Sequence, residues 1–453
     1  MTRRRLSASL FAGATALVAL LVIFTSREEE SFGGRLVSEW ILDLHHSDYR
    51  VRLEAQEVLR LIGSRSIPAL SRALHHRDSA LDRAMRAVGD RFPHTGLSIP
   101  PAEVVRQSAA SMLADLGSQS SDAIPALIQA LDDPEPAVVR EVERALRRSG
   151  RDQFPQLLAA LDHAPAGVRA GTIRVLRDVA PKTPALRERL LDCLHDTSPR
   201  VREESALALG AFGTNRSAVV SALSDLLSDD SPDVRLAAAV ALGQLKPAAA
   251  SAMPDLLAAL ADPVAVVRVQ AARSAWLNGE APERVLSVLT AALEVEHARW
   301  QAAYTLGDLG PDAARAVPAL IEMLEIEAVP RPLREAPSSA FALGHIGKDA
   351  VPALTVALDH PVAHVRTGAA IALGMIGSAA EEAVPALTLR LEDRHEEVRQ
   401  ASALSLGKIE PDAKAVVPVL VTMLDADDPY VKTWAADLLR EIDPEAAPHL
   451  QPE

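Results

Sequence analysis

Histidine pairs come closest to metal-binding chemistry in this sequence. His45-His46 and His75-His76 occupy the same position in adjacent copies of a repeated segment. A zinc site needs three or four ligands that converge on one tetrahedron, and a pair in one turn supplies two at most. The regular placement favours polar side chains in solvated turns, so no metal site is predicted. Further histidines in turns of the same kind are His163, His195 and His360.

Sequence motifs of catalysis are missing. The chain has no glycine-rich dinucleotide fingerprint after a strand, no phosphate-binding loop, no H-E-x-x-H and no G-x-S-x-G. The single cysteine, Cys193, cannot form an internal disulfide, and it aligns with Leu226 of the next copy, so it is predicted to fill a core position. We therefore predict no catalytic residue, no metal and no cofactor, and a protein that is not an enzyme.

Four residues have the types and spacing of a protein-binding anchor: Arg273, Trp276, Trp300 and Tyr304. They stand out because only 3% of the chain is aromatic. Trp276 replaces a recurring glycine, and Arg273 shares its helical face. Tryptophan, tyrosine and arginine dominate the hot spots of protein interfaces, so the cluster predicts contact with a segment of a protein partner. The alternative is that the rings pack against one another where two copies diverge.

A unit of about 33 residues must position these side chains. Each copy contains a first helix, a polar turn and a second helix whose apolar residues recur at spacings of three and four. One copy buries its apolar stripe only against its neighbours. The sequence therefore predicts an all-α fold, an α-solenoid of about twelve helical-hairpin repeats. The interval of 33 separates Val201, Val234 and Val267, and again Val365, Val398 and Val431.

Glycines and arginines recur in register in the second helix. A glycine inside a helix costs about 1 kcal/mol relative to alanine, so its repetition indicates close approach of a neighbouring helix. In four copies an aspartate precedes the arginine by six residues, and stacked copies are expected to join these charges in a ladder. The glycines are Gly210, Gly243, Gly307, Gly344, Gly374 and Gly407, and the arginines are Arg202, Arg235, Arg268, Arg366 and Arg399.

These residues make the chain resemble the HEAT-repeat proteins, specifically the bacterial HEAT-like repeats also found in phycobilisome lyases. The pattern D-x-x-P-x-V-R-x-x-A-A-x-A-L-G-x-I/L-G is best kept at Asp229 to Leu245 and at Pro361 to Gly377. The resemblance covers Leu36 to about Ile442 and implies a scaffold or adaptor that binds partners on the concave face. Two departures are an insertion at Ser79 to Pro101 and a lengthened copy at Glu325 to Pro337.

The resemblance leaves an enzyme as the alternative, either an oxidoreductase or a lyase by family analogy only. One related family, deoxyhypusine hydroxylase, is implied to bind iron through His-Glu pairs on several helices. This chain has only His395-Glu396, which falls at a turn. An iron site of that kind is therefore not predicted.

The N-terminal residues predict a membrane anchor. Residues 6–25 contain no charge and are long enough to span about 30 Å of hydrocarbon as a helix. Arginines precede this span and glutamates follow it, which places residues 1–5 in the cytoplasm. We thus predict a signal-anchor helix at 6–25, a linker at 26–35 and an extracytoplasmic repeat domain at 36–453. The alternative is a secreted protein after cleavage of a signal peptide.

The overall charge restricts the partner. The chain carries 47 basic and 61 acidic residues, a net charge of −14. An acidic surface repels nucleic-acid phosphates and attracts basic segments. We therefore expect a protein partner, a basic one, and no nucleic acid.

Overall fold

Helix pairs in series make up the all-α solenoid of this protein. The computed structural model describes residues 31–46, 48–92, 99–149, 153–213, 217–246, 248–327, 336–409, 416–425 and 429–443. The chain divides into two compact units, residues 1–212 and 213–453. Within the described residues, twelve helix pairs follow one another, which is the number of repeats counted in the sequence, and one helix lies outside the pairs.

The first unit contains eleven described helices, of which α4 is the unpaired one. They are α1 (Val37–Asp43), α2 (Tyr49–Ile62), α3 (Ile67–Ala73), α4 (Ala80–Arg91), α5 (Ala102–Leu116), α6 (Ile124–Gln129), α7 (Pro136–Arg148), α8 (Phe154–His163), α9 (Ala166–Val179), α10 (Pro184–Cys193) and α11 (Pro199–Phe212). The insertion predicted at 79–101 thus contains a helix of its own.

The second unit contains seven described pairs. They are α12 (Ser217–Asp225) with α13 (Pro232–Gln244), α14 (Met253–Ala258) with α15 (Ala265–Leu277), α16 (Pro282–Ala292) with α17 (Arg299–Leu309), α18 (Val317–Ile326) with α19 (Ser338–Ile346), α20 (Val351–Ala357) with α21 (Ala363–Ile376), α22 (Val384–Arg390) with α23 (Glu396–Ile409), and α24 (Val417–Met423) with α25 (Pro429–Ile442).

A short β-hairpin lies in the part of the chain predicted as a linker. Strands β1 (Ser31–Phe32) and β2 (Arg35–Leu36) pair antiparallel. Gly33 and Gly34 between them have φ of 62° and 80°, which a two-residue hairpin turn requires and which glycine adopts without strain. Trp40 fastens this hairpin to α1, because its indole N–H donates to the carbonyl of Phe32 at 3.3 Å.

Prolines and glycines set where the helices begin and end. A proline occupies the first turn of ten first helices, where its missing N–H leaves no helical hydrogen bond unmade. A second glycine, which follows the recurring one by three residues, ends several second helices. Gly310 and Gly377, for example, have φ of 60° and 70°, and a 3₁₀ turn leads from each into the next first helix.

The core is built from small and branched aliphatic side chains of both helices in each pair. In α13 the predicted stripe of Val234, Ala238, Ala241, Leu242 and Leu245 is at most 1% exposed. Burial of each valine or leucine contributes about 1.5–3 kcal/mol. Alanines between them keep neighbouring helices close, so the core needs few aromatic rings.

The recurring glycines lie where one second helix meets the next. A Cβ added at Gly374 would lie 2.5 Å from Ser405 Oγ and 2.9 Å from the Cα of Ser405 on α23. A Cβ added at any of four other recurring glycines would likewise lie within 3.2 Å of an atom of the next second helix. These glycines and their neighbours are Gly243 against Ser274, Gly307 against Phe341 and Ala342, Gly344 against Met375, and Gly407 against Leu438.

Arginine–aspartate pairs join successive copies along the turns. The side chain of Arg366 donates two hydrogen bonds of 2.8 Å to the carboxylate of Asp393, which lies 27 residues further on in the next copy. Arg366 also donates to the carbonyl of His360 in its own turn, at 2.8 Å. Asp393 in turn accepts the backbone N–H of His395 at 2.9 Å. Other pairs with this spacing are Arg106–Asp133, Arg169–Asp196 and Arg235–Asp262.

The steps that follow α15 and α17 lack this pair. The residue 27 positions after Arg268 is Val295, and the one 27 positions after Arg299 is Ile326. Both arginines donate to carbonyls of their own turns. Among the described residues, neither guanidinium forms an ion pair with a carboxylate. The regular pairing is thus interrupted from α15 to α18.

One helical run in the described residues has the length and apolar composition of a membrane span, Ala363–Arg390. It consists of α21, a 3₁₀ turn and α22, and Gly377 at φ 70° interrupts its helical course. Val365, Leu373 and Leu387 within it are fully buried in the stack. The N-terminal span predicted at 6–25 lies outside the described residues.

Candidate functional site

Four ring side chains form a row on two neighbouring second helices. We call Trp300 and Tyr304 of α17 with Phe341 and His345 of α19 the aromatic row. The ring centroids of Trp300 and Tyr304 are 6.1 Å apart in an edge-to-face arrangement, and those of Tyr304 and Phe341 are 4.9 Å apart. The ring of His345 lies 4.1 Å from that of Phe341. Such contacts contribute about 0.5–1.5 kcal/mol each and hold the rings in place.

The aromatic row is open to solvent. Trp300 is 52% exposed and Tyr304 is 43% exposed, while Phe341 is half-buried. The rings do pack against one another, as the alternative interpretation of the sequence held, but they do so on the surface and keep large apolar areas accessible. Packing and binding are therefore compatible here.

Gly307 allows the row to form. Without a Cβ at this position, Phe341 Cε1 lies 3.2 Å from where that atom would be. The ring of Phe341 therefore rests against the backbone of α17 and reaches Tyr304. A Cβ at this position would crowd Phe341 and Ala342 of α19, which would have to shift by a few tenths of an ångström.

Arg273 borders the row through an ion pair. From α15, its guanidinium donates to the carboxylate of Asp308 on α17 at 3.0 Å and 3.2 Å. Both side chains are 43% exposed, so the pair is accessible to a partner. Trp276, also on α15, is half-buried, and in the described residues no ring contact joins it to Trp300 or Tyr304. The structure thus brings three of the four predicted residues to one stretch of surface and leaves Trp276 outside the row.

Sequence reasoning missed Phe341, His345 and Asp308. The position of these aromatic residues relative to the recurring glycine could have revealed part of the site. Tyr304 and Phe341 each stand three residues before that glycine, and Arg273 stands three residues before Trp276, which replaces it. Alignment on the glycine, rather than on the Val-Arg pair, would have placed these three side chains in one line.

An acidic groove lies between the first helices of the same two copies. The groove has a volume of about 580 Å³ between α16 and α18. Its floor is apolar, and Ile326 at its end is 59% exposed. Its ionisable lining residues are Glu283, Glu294, Glu322 and Arg315. The surplus of carboxylates gives the groove a negative field.

One group of side chains that could bind a metal ion forms hydrogen bonds within the protein instead. His76, Asp78 and Asp82 have donor atoms within 4.8 Å of one another. However, both oxygens of Asp78 accept hydrogen bonds from Arg86, at 2.8 and 2.9 Å, and Asp82 caps α4 through Ser79. Burial lowers the pKa of His76. These carboxylates therefore serve to fasten α4, and the guanidinium of Arg86 already provides the positive charge beside Asp78.

Other histidines and the cysteine are buried or in contact with neighbouring residues of the repeats. Burial lowers the pKa of His45 to about 4, which keeps its ring neutral at physiological pH. His360 lies in the turn before α21, and His364 lies in that helix, yet both contact Glu325, through its carboxylate and its carbonyl respectively. Burial raises the pKa of Cys193 to about 11, so its thiol is a poor nucleophile. The side chain of His163 lies outside the described residues.

Comparisons with known proteins agree with this architecture. The profile of HEAT repeats matches residues 97–177, 154–243, 213–275, 338–407 and 384–452, and that of the PBS lyase HEAT-like repeat matches residues 298–325. No match was found among curated proteins.

Solved structures with a similar fold are HEAT solenoids of greater length. Yeast importin-β (Kap95p) is 14% identical with a TM-score of 0.57, and the match covers 89% of this chain and 60% of that one. In the Kap95:Nup1 complex the matching chain is 15% identical with a TM-score of 0.55, and the match again covers 89% of this chain and 60% of that one. Importin β crystallised in an ammonium sulfate condition is 14% identical with a TM-score of 0.55, and the match covers 90% of this chain and 55% of that one. This chain thus spans about 60% of their length, and at such identities the likeness concerns the fold alone.

Proposed function

Because the chain belongs to the HEAT-repeat family, we propose that it is a membrane-anchored, non-enzymatic scaffold that binds a segment of a protein partner. The observation that carries this proposal is the exposed aromatic row on α17 and α19. Most large apolar side chains of the solenoid are buried, whereas Trp300 and Tyr304 expose about half of their surface. Preorganised aromatic rings lose little entropy on binding and are typical anchors of interfaces.

A partner segment would cross the second helices from α15 to α19. Trp300 and Tyr304 offer apolar contact at the centre, and the pair Arg273–Asp308 offers hydrogen-bonding groups of both signs at the border. Trp276 would add apolar contact at the α15 end. Helical solenoids present extended surfaces that bind through many small contacts, and the similar Kap95p was solved in complexes with RanGDP and with Nup1.

The charge of the chain supports a basic partner. Its net charge is −14, and the groove between α16 and α18 carries three glutamates against one arginine. A segment rich in lysine or arginine would gain favourable electrostatic energy on approach, and this gain would shrink as salt rises.

The anchoring half of the proposal depends on residues 6–25. Their apolar length and the arginines before them support a single span with the repeats on the extracytoplasmic side. Extraction of membranes with alkaline carbonate tests it, because a spanning helix stays in the membrane while a peripheral protein is released. Protease added outside intact cells should then digest the repeats.

Site-specific photocrosslinking tests the binding half. A photoreactive amino acid placed at Trp300, Tyr304 or Phe341 in the full chain should trap one common partner in cells. The same probe at Leu389, which is 68% exposed on the first helix α22, should not trap it. Trp300→Ala should lower capture by a probe at Phe341 at least tenfold, and Leu389→Ala should leave it unchanged. Equal capture by all four probes, or no loss in the Trp300 variant, would refute the proposed surface.

A further inference from the structure

The helix α4 is the one described helix outside the twelve pairs, and it is fastened to the stack along one side only. Arg86 donates to Asp78, at 2.8 and 2.9 Å, and to the carbonyls of Ile99 and Pro100, at 3.1 and 3.2 Å. The capping residue Asp82 is 2% exposed. This side of α4 is therefore held in a defined orientation.

A different side of α4 presents an apolar stripe to solvent. Leu81, Met85 and Val88 follow at spacings of four and three, and Phe92 comes directly after the helix in the same line. Leu81 is 45% exposed, and Val88 and Phe92 are each 48% exposed. Burial would remove a substantial area of this stripe from water.

Helix α7 shows what the stack does with an ordinary amphipathic helix. It has a comparable division into apolar and charged sides, but its apolar residues Val138, Val142 and Leu146 are 0% exposed. Amphipathic sequence alone thus does not account for the exposed stripe of α4, because in α7 neighbouring copies bury the corresponding stripe.

Charge identifies the surface that fits this stripe. Arg91 on α4 is exposed and borders the stripe, three residues after Val88, and residues 31–92 contain ten arginines against eight carboxylates, although the whole chain carries −14. A narrow apolar stripe on an otherwise polar helix, with a basic residue beside it, is typical of helices that lie in the interface of a membrane with anionic lipids. Only 54 residues separate α4 from the predicted span at 6–25.

We propose that α4 lies flat in the headgroup region of the membrane, with Leu81, Met85 and Val88 at the acyl-chain boundary and Arg91 at a lipid phosphate. The inference rests on the anchoring half of the proposed function, because the anchor brings α4 to the bilayer. The predicted span and α4 would then be two contacts of the first unit with the membrane. Together they would restrict the rotation of this unit about its anchor.

Lipid-borne quenchers test this placement in the full chain. An environment-sensitive dye is attached to Val88→Cys or, as the matched control on the opposite side of the same helix, to Asp90→Cys. The buried Cys193 stays unlabelled. In nanodiscs of phosphatidylcholine and phosphatidylglycerol, doxyl-labelled lipid should quench the dye at Val88→Cys at least twofold and leave the dye at Asp90→Cys unchanged. Arg91→Glu should lower the quenching at Val88→Cys, whereas Arg83→Glu, on the same side of the helix as Asp90, should not.

The outcomes separate the inference from the anchoring proposal. Retention of the chain after a carbonate wash without quenching at Val88→Cys would overturn the placement of α4 and leave the anchor standing. Quenching at Val88→Cys in a chain that carbonate releases would support α4 and refute the anchor. Protection of the dye from aqueous iodide without quenching by doxyl lipid would mean that protein covers the stripe, which would overturn the lipid assignment.

Discussion

Removal of one carboxylate from the arginine–aspartate series should loosen the stack locally. The change is Asp393→Ala. The side chains of Arg366 and Asp393 are 6% and 5% exposed, so the variant would leave a buried guanidinium without its counter-charge and the N–H of His395 without its acceptor. Loss of one partner of a buried ion pair costs about 3–5 kcal/mol.

Hydrogen exchange is the appropriate measurement, because a long repeat array need not unfold in one step. A cost of about 3 kcal/mol corresponds to roughly a 100-fold or greater rise in the exchange rates of amides in α21 and α23. The control is Asp437→Ala, whose carboxylate is 60% exposed and pairs with Arg440, and which should change exchange less than about fivefold. Equal effects of the two variants would refute the assignment of stability to the buried pair.

Three further predictions concern pH, packing and reactivity. Burial raises the pKa of Asp262 and Asp393, but hydrogen bonds from arginine and backbone outweigh it and hold each pKa below the ordinary value. Their stabilisation is therefore complete above about pH 4 and is lost as pH falls through the folded-state pKa, which acid titration of amide exchange should show. Gly374→Ala should lower the midpoint of thermal unfolding, because overpacking against Ser405 costs about 1–3 kcal/mol and exceeds the gain in helix propensity of about 1 kcal/mol. Cys193, with a pKa of about 11, should react with iodoacetamide at pH 8 at least 100 times more slowly than free cysteine.

The fold could be predicted because the sequence of each repeat contains the signals for its own helices and turns. The spacing of apolar residues in α13, the prolines of the first turns and the recurring glycines all report contacts that lie within one copy or against the next. Such short-range information survives in a single sequence. The hairpin at β1 and β2 and the helix α4 were not predicted, because each occurs once and no other copy reinforces its pattern.

The candidate site was harder to predict because its contacts join different copies. The sequence relates Asp393 to Arg399 by a spacing of six, yet the carboxylate binds Arg366, 27 residues earlier. Likewise Tyr304 contacts Phe341, which is 37 residues away across a lengthened copy. Spacing within a copy does not reveal which side chains of two copies meet, since that depends on how the helices stack.

The departures from the repeat coincide with the candidate site. Between α15 and α18 the arginine–aspartate pair is missing at two steps, Trp276 replaces a glycine, the acidic groove opens and the aromatic row begins. Each copy of a solenoid contacts only its neighbours, so the cost of such departures stays local. Outside this stretch the pair is kept, as Arg235–Asp262 before it and as Arg366–Asp393 after it. A binding surface can therefore replace stabilising contacts in the middle of the second unit while the flanking copies hold its helices in register.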